Sequence, residues 1–303
     1  MDQRELDERC LRWNHHLRRP AFCANPGCPS RDPDRWKDLL GVMRLTAGGA
    51  GGPEAVVRPI GDSFRDAIRT RPVHIDVARA RVQHAAYLHA LRELGFSIRL
   101  LPTDEALPDG CFVEDQALIV GRRALILRAG HPDRRAEASS VAAGLRDAGL
   151  QVGRQERGRI DGGDVLRVGH TLVVGRSSRT DADGVAELRA AFPELQVREV
   201  DVAEGTLHLK CHCSSPAPGL VLVAEGTVAP TAFHGLGRVR ITPAEEAWGA
   251  NTVGRAGKVL LAAGFPGVGA ILREEGLVPI EVELDEIAKA DGSPSCLSLL
   301  VDG

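Results

Sequence analysis

Hydrophobic and polar positions follow one repeating order through most of the chain. Residues 112–120 and 124–128 have the pattern of two strands, residues 132–148 have the period of an amphipathic helix, and residues 150–154 have the pattern of a third strand. The same order of strand, strand, helix and strand recurs three more times towards the C-terminus, with a weak helical stretch in the third unit. The pattern therefore predicts an α/β protein built from repeats.

The two ends of the repeating region complete a fifth unit. The last predicted strand begins at residue 296 and has no partners after it, while strand 56–59, helix 77–94 and strand 97–101 supply them. First strands begin near residues 112, 164, 207, 251 and 296, at steps of 52, 43, 44 and 45 residues. This regular period predicts a closed, pseudo-symmetric propeller of five ββαβ blades, in which the N- and C-terminal segments pair.

Residues 1–52 fall outside the repeat and end in a glycine-rich run. We predict that they form an N-terminal extension before a single catalytic domain at residues 53–303. Cys10, Cys23 and Cys28 leave open a zinc site in this extension, although their spacing matches no known zinc template.

The composition narrows the class of partner. The chain has 303 residues, with 38 basic and 41 acidic side chains and a net charge of -3, so no broad basic field favours nucleic acid or an anionic membrane. No apolar run is long enough to span a bilayer and the N-terminus has no secretory pattern, so we expect a cytoplasmic protein. The odd count of seven cysteines favours reduced thiols. The predicted partner is a small-molecule substrate.

Unusual polar residues fall at equivalent positions of the predicted blades. Glu114 and Asp115 lie in the first strand of one blade and Asp161 just before that of the next. His208 lies in the first strand of the third blade, and Cys296 opens that of the last. Each residue alone has a simpler interpretation, as buried core, turn or exposed edge. Their shared position favours one site on the axis of the ring.

The thiol and the imidazole indicate nucleophilic chemistry. Cys296 follows a turn-forming Gly/Ser/Pro stretch after Asp291, and a nucleophilic thiol needs a nearby base or cation such as His208. The sequence Cys-His-Cys at residues 211–213 is a rival metal cluster, but adjacent residues of a strand point to opposite faces. No metal is therefore predicted.

The carboxylates indicate the charge of the ligand. Several acidic groups around one axis require a cation, and a thiol with an imidazole requires an electrophilic carbon. A guanidinium group meets both requirements, because it is planar, stays charged at neutral pH and offers paired donors that match carboxylates.

Four motifs carry a resemblance to a known family. They are Phe-Val-Glu-Asp at 112–115, Asp-Gly-Gly-Asp-Val-Leu at 161–166, Leu-His-Leu-Lys at 207–210 and Asp-Gly-x-x-x-Cys-Leu-Ser at 291–298. From about residue 56 onwards the chain resembles the dimethylarginine dimethylaminohydrolases of the amidinotransferase and arginine deiminase superfamily. The resemblance implies the five-bladed pentein fold, no cofactor, and hydrolysis of asymmetric dimethylarginine or monomethylarginine to L-citrulline and an alkylamine.

The resemblance also implies roles for single residues. Cys296 would be the nucleophile that forms a covalent thiouronium, and His208 would act first as acid and then as base. Asp161, also counted as catalytic, would hold the guanidinium together with Glu114 and Asp115. Two arginines would clamp the α-carboxylate, an aspartate would receive the α-ammonium, and a lid at residues 60–64 would cover the pocket. The further substrate contacts are Ile60, Asp109, Arg128, Arg179, Ala290 and Asp291.

Other functions stay open from the sequence. An arginine deiminase would run the same chemistry on free arginine, but such enzymes carry an acidic residue where this chain has Lys210. A non-catalytic binder of arginine derivatives would keep the ring, and the intact thiol and imidazole argue against it. The chain departs from the family at Cys211, where serine is usual, and in the lid at residues 59–61. A homodimer is a further open prediction.

Overall fold

The computed structural model describes residues 52–302 of the chain. The predicted extension, apart from Gly52, and the zinc site on Cys10, Cys23 and Cys28 lie outside the described residues. The strands, in chain order, are β1 (Glu54–Val57), β2 (Ser97–Leu100), β3 (Ala117–Val120), β4 (Arg123–Ile126), β5 (Gln151–Arg154), β6 (Val165–Val168), β7 (Thr171–Arg176), β8 (Gln196–Asp201), β9 (Cys213–Ala217), β10 (Leu220–Ala224), β11 (Arg238–Thr242), β12 (Thr252–Arg255), β13 (Lys258–Ala262), β14 (Val278–Val282) and β15 (Leu299–Val301). The α-helices are α1 (Val77–Glu93), α2 (Ala138–Asp147), α3 (Ala182–Ala191), α4 (Pro266–Glu274) and α5 (Asp285–Ala288).

These strands form five three-stranded sheets, each of which is one blade. Blades one to four are β3–β5, β6–β8, β9–β11 and β12–β14, and blade five is β15, β1 and β2. In every blade the first strand is antiparallel to the second, and the second is parallel to the third. A helix links the second and third strands except in blade three, where a short 3-10 helix, Pro230–Phe233, replaces it. The predicted five-bladed α/β propeller is confirmed.

The ring closes where the two ends of the described chain meet. Strand β15 runs antiparallel to β1, with Leu300 opposite Ala55, and β1 runs parallel to β2, with Val56 opposite Arg99. The long helix between β1 and β2 begins at the side chain of Asp76, which accepts a hydrogen bond from the backbone N–H of Arg79. The termini therefore build the fifth blade, as the sequence predicts.

The hydrophobic core consists of clusters shared between neighbouring blades. In one of them, Val56 and Leu299 of blade five cluster with Ala117, Ile126 and the buried face of α2 in blade one. First strands of neighbouring blades contact each other, as β9 does with both β6 and β12, and β15 with β3. Burial of apolar surface between the blades thus holds the first strands together around the axis.

One regular feature differs from the prediction and positions the site. A 3-10 turn precedes the first strand of each blade, and we call these segments the leading turns: Val113–Gln116, Gly162–Asp164, Leu209–Cys211, Ala244–Ala250 and Pro294–Leu297 for blades one to five. Glu114, Asp115 and Cys296 lie in leading turns and His208 directly precedes one, so the prediction that these residues lie in strands was wrong. The physical reason is that the strands begin only where ladder pairing begins, as at Ala117 opposite Ile126. The tighter turns direct buried polar side chains towards other blades.

The predicted helix at residues 132–148 is also divided. It begins as the 3-10 helix Pro132–Glu137 and continues as α2. Arg134 and Glu137 are buried within this first part and bond to each other. Within residues 52–302, no helix is long and apolar enough to cross a membrane.

Candidate active site

The leading turns bring three of the predicted site residues together. The first leading turn contacts the second and the fifth, and the third contacts the second and the fourth. Asp115, Asp161 and His208, from three different blades, place their polar atoms within 4.8 Å of one another, and all three residues are buried. The axis of the ring therefore carries a charged cluster, as the repeat predicts.

His208 lies between two buried carboxylates. Its Nε2 lies 2.9 Å from Asp161 Oδ2, and its Nδ1 lies 3.9 Å from Asp115 Oδ1. Burial alone would lower the pKa of His208, but the charge of Asp115 and the hydrogen bonds of the imidazole with Asp161 and Cys211 raise it well above its ordinary value. The imidazole is therefore held in its cationic form, ready to donate a proton.

Gly163 allows the imidazole to approach Asp115. A Cβ atom at this glycine would lie 2.6 Å from His208 Nδ1 and 2.8 Å from Asp115 Oδ1. The backbone N–H of Gly163 also donates to Asp115 Oδ1 at 2.8 Å. Only a residue without a side chain fits between the two groups, which explains the second glycine of the Asp-Gly-Gly-Asp motif.

Arg134 is a buried cation that the sequence analysis missed. Its guanidinium donates to Asp115 Oδ2, to both carboxylate oxygens of Glu137 and to the carbonyl oxygen of Phe112. Burial would raise the pKa of Asp115, but the charges of His208 and Arg134 lower it to about 2. Asp115 is therefore a fixed carboxylate. Because arginine is common throughout this chain, nothing in the sequence marked Arg134 as special.

Asp161 connects the imidazole to the loops that carry the two predicted carboxylate-binding arginines. Its Oδ1 accepts a hydrogen bond from the N–H of Gly130 at 2.7 Å. Gly130 in turn lies against the backbone of Arg179, since a Cβ atom added at Gly130 would be 2.5 Å from the carbonyl oxygen of Arg179. Arg128, two residues before Gly130, uses its guanidinium to bind the carbonyl oxygen of Gly158 at 2.9 Å. Both loops thus adjoin the Asp161 side of the site, with the Arg128 side chain bound to the protein itself.

Asp164 is a second residue whose function the sequence did not reveal. Its Oδ1 accepts from the N–H of Leu209 at 3.0 Å, and its Oδ2 accepts from Thr180 Oγ1 at 2.7 Å and from the hydroxyl of Ser177. Asp164 therefore joins the turn after His208 to the loop that contains Arg179. The repeated Asp of the Asp-Gly-Gly-Asp motif was the available signal.

Glu114 is bound by protein groups on both carboxylate oxygens. Lys210 Nζ donates to Oε1 at 2.5 Å, and Ser295 Oγ donates to Oε2 at 2.8 Å. Glu114, which the resemblance implies would hold the substrate guanidinium, thus already has a cationic partner in the protein. That partner is Lys210, whose side chain is largely buried. The pair links blades one and three beside the turn that contains the predicted nucleophile.

Cys296 lies in the fifth leading turn and is half-buried. Its backbone N–H donates to the carbonyl oxygen of Ser293 at 3.1 Å. Burial of the thiol, followed by the charges of Glu114 and Asp115, raises the pKa of Cys296 well above its ordinary value. The free protein therefore holds a neutral thiol, and a cation placed between the sulfur and these carboxylates would favour the thiolate.

Four predicted substrate contacts lie in or next to the segment that follows β1: Ile60, Asp109, Ala290 and Asp291. Both carboxylate oxygens of Asp109 accept from the N–H of Ile68, at 3.2 and 3.1 Å. Asp291 accepts from the N–H of Thr70 at 2.7 Å and from its hydroxyl at 2.9 Å. The carbonyl oxygen of Ile60 accepts from Arg81 Nε at 3.0 Å, and Ala290 is buried. Asp109 and Asp291 thus hold the segment by hydrogen bonds to its backbone, and none of the four residues belongs to the group of Asp115, Asp161 and His208.

Among residues 52–302, Asp115, Asp161 and His208 are the one group of three possible metal ligands within reach of each other, but a cationic imidazole has no lone pair to offer a metal ion. Each of the three already has a hydrogen-bond partner in the protein. The sequence Cys-His-Cys at 211–213 does not converge on one point: the Cys213 thiol donates to Leu209 O at 3.3 Å, while Cys211 bonds to His208.

Comparisons with known proteins agree with this geometry. A sequence profile of the arginine deiminase family matches residues 103–203. The chain is 37% identical over 230 residues to an N(G),N(G)-dimethylarginine dimethylaminohydrolase of Streptomyces coelicolor, which covers 74% of this chain and 87% of that protein. It is 34% identical to the enzyme of the same name from Pseudomonas aeruginosa, over 74% of this chain and 89% of that protein.

Solved structures show the same fold. A cysteine-to-serine mutant of the Pseudomonas aeruginosa enzyme, complexed with citrulline, superposes with a TM-score of 0.77 at 30% identity. The superposition covers 82% of this chain and 99% of the chain of the mutant enzyme. An arginine dihydrolase from cyanobacteria superposes with a TM-score of 0.76 at 18% identity, which shows the shared fold alone. With this fold and this degree of identity, the chain belongs to the dimethylarginine dimethylaminohydrolase family and is a hydrolase of carbon–nitrogen bonds.

Proposed function

We propose that this protein hydrolyses Nω-methylated arginine to L-citrulline and dimethylamine or methylamine. The observation that supports the proposal is the placement of His208 between two buried carboxylates in a member of this family. One of these carboxylates, Asp115, belongs to the first leading turn, which contacts the leading turn that carries Cys296, and its charge acts on both the imidazole and the thiol. Related structures hold citrulline and an adduct with S-methyl-L-thiocitrulline.

The first half-reaction forms a bond between the sulfur and the substrate. The guanidinium cation would offset the charges of Glu114 and Asp115 that raise the pKa of Cys296, so the thiol releases its proton to solvent as the substrate binds. The thiolate attacks the central guanidinium carbon, and His208 donates its proton to the departing alkylamine nitrogen. The C–N bond breaks, and a cationic thiouronium remains on Cys296.

The second half-reaction consumes one water molecule. His208, now neutral, takes a proton from the water, and the resulting hydroxide attacks the thiouronium carbon. The C–S bond breaks, the proton of the new hydroxyl returns to the sulfur, and L-citrulline leaves. Asp161 holds the imidazole in place through both halves, since it accepts from Nε2 at 2.9 Å.

Lys210 supports the methylated substrate over free arginine. It occupies one oxygen of Glu114, so the site offers fewer free acceptors to the five N–H donors of an unsubstituted guanidinium. A dimethylated nitrogen has no N–H to satisfy, and an unpaired donor in a buried site is costly. The match to the arginine deiminase profile keeps free arginine as the second candidate substrate.

Citrulline release from asymmetric dimethylarginine, monomethylarginine and arginine, measured side by side, tests the proposal. We expect kcat/KM for a methylated substrate to exceed that for arginine by about 100-fold, or about 2.7 kcal/mol. The variant Cys296→Ser should release no citrulline while it still binds the substrate. A preference for arginine would favour a deiminase, and binding without turnover by the unaltered chain would favour a non-catalytic binder.

The remaining sequence predictions belong to the same proposal. We propose a single catalytic domain at residues 53–303, a cytoplasmic location and a homodimer. Light scattering on the purified chain tests the dimer, and a single species near 32.4 kDa would contradict it.

A further inference from the structure

Blade four is the blade whose axial position had no chemical role in the sequence analysis. The other blades place carboxylates, an imidazole or a thiol there. In the structure, Asn251 follows the fourth leading turn directly and precedes β12, and its residue surface is 1% exposed. A buried carboxamide is costly unless its donors and acceptor are paired, so its partners indicate its purpose.

The carboxamide of Asn251 makes hydrogen bonds to two other blades. Its Oδ1 accepts from the backbone N–H of Ser295 at 2.9 Å. Its Nδ2 donates to Ser295 Oγ at 2.8 Å and to the carbonyl oxygen of Lys210 at 2.7 Å. Ser295 precedes Cys296 in the fifth leading turn, and Lys210 belongs to the third leading turn, which follows His208. One side chain thus connects the turn of the thiol to the turn of the imidazole.

These contacts close into a cycle through Glu114. The hydroxyl of Ser295 donates to Glu114 Oε2 at 2.8 Å, and Lys210 Nζ donates to Glu114 Oε1 at 2.5 Å. Asn251, Ser295, Glu114 and Lys210 come from blades four, five, one and three. Because each member bonds to the next, the position of the Cys296 backbone depends on groups in all of these blades.

We propose that Asn251 is a positioning residue for the nucleophile, which holds the fifth leading turn at one place relative to Glu114 and to the turn of His208. The inference rests on the proposed function, in which Cys296 attacks the substrate. Asn251 acts through Ser295 and contacts no reacting atom. A displacement of about 1 Å at a reacting group costs about 100-fold in rate, so this positioning has a measurable effect.

The reactivity of the thiol towards iodoacetamide tests the proposal without any substrate. We expect Asn251→Ala to loosen the turn, so that the thiol moves away from Glu114 and Asp115 and its alkylation profile shifts to lower pH. We expect Asn251→Asp to shift the same profile to higher pH, because it adds a carboxylate near the sulfur. Mass spectrometry of the peptide that contains Cys296 separates its alkylation from that of other cysteines.

Turnover of dimethylarginine supplies the second measurement. We expect kcat of Asn251→Ala to fall about 100-fold while KM changes less than about threefold, since the residue holds the nucleophile and not the substrate.

Ser214→Ala is the matched control. Ser214 Oγ bonds to the carbonyl oxygen of Ala250 at 2.6 Å and to Thr252 Oγ1 at 2.7 Å, on either side of Asn251. The substitution therefore removes buried hydrogen bonds from blade three to the end of the fourth leading turn and to β12, and it leaves the three hydrogen bonds of Asn251 to the third and fifth leading turns in place. It should lower Tm while kcat and the alkylation profile stay as in the unaltered chain.

The outcomes separate this inference from the proposed function. Opposite shifts in Asn251→Ala and Asn251→Asp, with none in Ser214→Ala, support the positioning role even if the unaltered chain does not hydrolyse dimethylarginine. An unchanged profile in Asn251→Ala, or an equal shift in Ser214→Ala, overturns it. If Asn251→Ala does not fold, Asn251→Ser takes its place, because its shorter side chain cannot keep all three hydrogen bonds, and an unshifted profile in that variant overturns the proposal.

Discussion

His208 and His84 are buried to nearly the same degree, at 5% and 4% exposed, yet their pKa values move in opposite directions. Around His208, carboxylates outweigh burial and raise the pKa well above its ordinary value. His84 lies in α1 within an apolar cluster beside Tyr87, its Nε2 has no partner, and burial lowers its pKa to about 4. Burial alone therefore does not decide the charge of a histidine in this protein.

The difference between them lies in where their neighbours come from. The acids around His208 are Asp115 of blade one and Asp161 and Asp164 of blade two, brought to it by contacts between leading turns. His84 packs within the core around one helix, where no carboxylate faces it. The leading turns of neighbouring blades bring these buried charges together at the axis, which is why the chemistry is concentrated there.

The largest expected effect comes from removing the charge of Asp161. Asp161→Asn keeps an oxygen near His208 Nε2 but removes a carboxylate, so the pKa of His208 should fall. We expect kcat to fall about 10²- to 10⁴-fold, because the imidazole loses its orientation and its proton at working pH. In the unaltered chain, the raised pKa of His208 delays the loss of its proton to higher pH. Because the variant lowers this pKa, the basic limb of its kcat profile should move to lower pH.

Asp183→Asn, at an exposed acid in the first turn of α3, is the control and should leave both quantities unchanged. If Asp161→Asn keeps kcat within about threefold of the unaltered chain and the same basic limb, then Asp161 does not set the state of His208.

A smaller effect is expected on stability, from His84. Its pKa is about 4 in the folded chain and near 6.5 when unfolded, so acid favours the unfolded state. The contribution of His84 to stability should be nearly constant above about pH 6.5 and fall by about 2 kcal/mol between pH 7 and pH 5. Chemical denaturation at several pH values measures this, and His84→Leu should remove that part of the slope.

His208 titrates in a different window, which keeps the two histidines separable. Its pKa is raised in the folded chain, so its stabilising contribution is complete below about pH 6.5 and is lost only as pH rises through the folded value. An unchanged slope below pH 6.5 in His84→Leu would therefore show that His84 is not the buried neutral group.

The smallest expected effect comes from Gly163→Ala. The added methyl group would lie 2.6 Å from His208 Nδ1 and 2.8 Å from Asp115 Oδ1, so the imidazole or the carboxylate must shift and the two groups must move apart. We expect kcat to fall about tenfold, with KM nearly unchanged. Gly169→Ala is the control, because it introduces backbone strain without crowding. Gly169 has a φ of +59°, and an added Cβ there would have nothing within 4 Å. A loss of kcat in Gly169→Ala as large as that in Gly163→Ala would contradict the crowding argument.

The sequence analysis found some site residues and missed others for identifiable reasons. His208 and Cys296 are rare residue types at equivalent places of a repeat, so the period alone drew attention to them. Arg134 and Asn251 carry no such signal, because each acquires its function only from partners in other segments. The leading turns were predicted as strands because their apolar neighbours alternate, and alternation does not show where ladder pairing starts.

The amino-acid sequence by itself determined the five-fold repeat, the closure of the ring by its terminal segments and the identity of the thiol and imidazole. These follow from hydrophobic periodicity and residue type, which are local properties of the chain. Only the tertiary structure decided that Lys210 pairs with Glu114, that Arg134 holds Asp115 as a carboxylate and that Asn251 joins two leading turns. These pairings depend on which blades become neighbours, and the free energy of a buried charge is set by its neighbours in space.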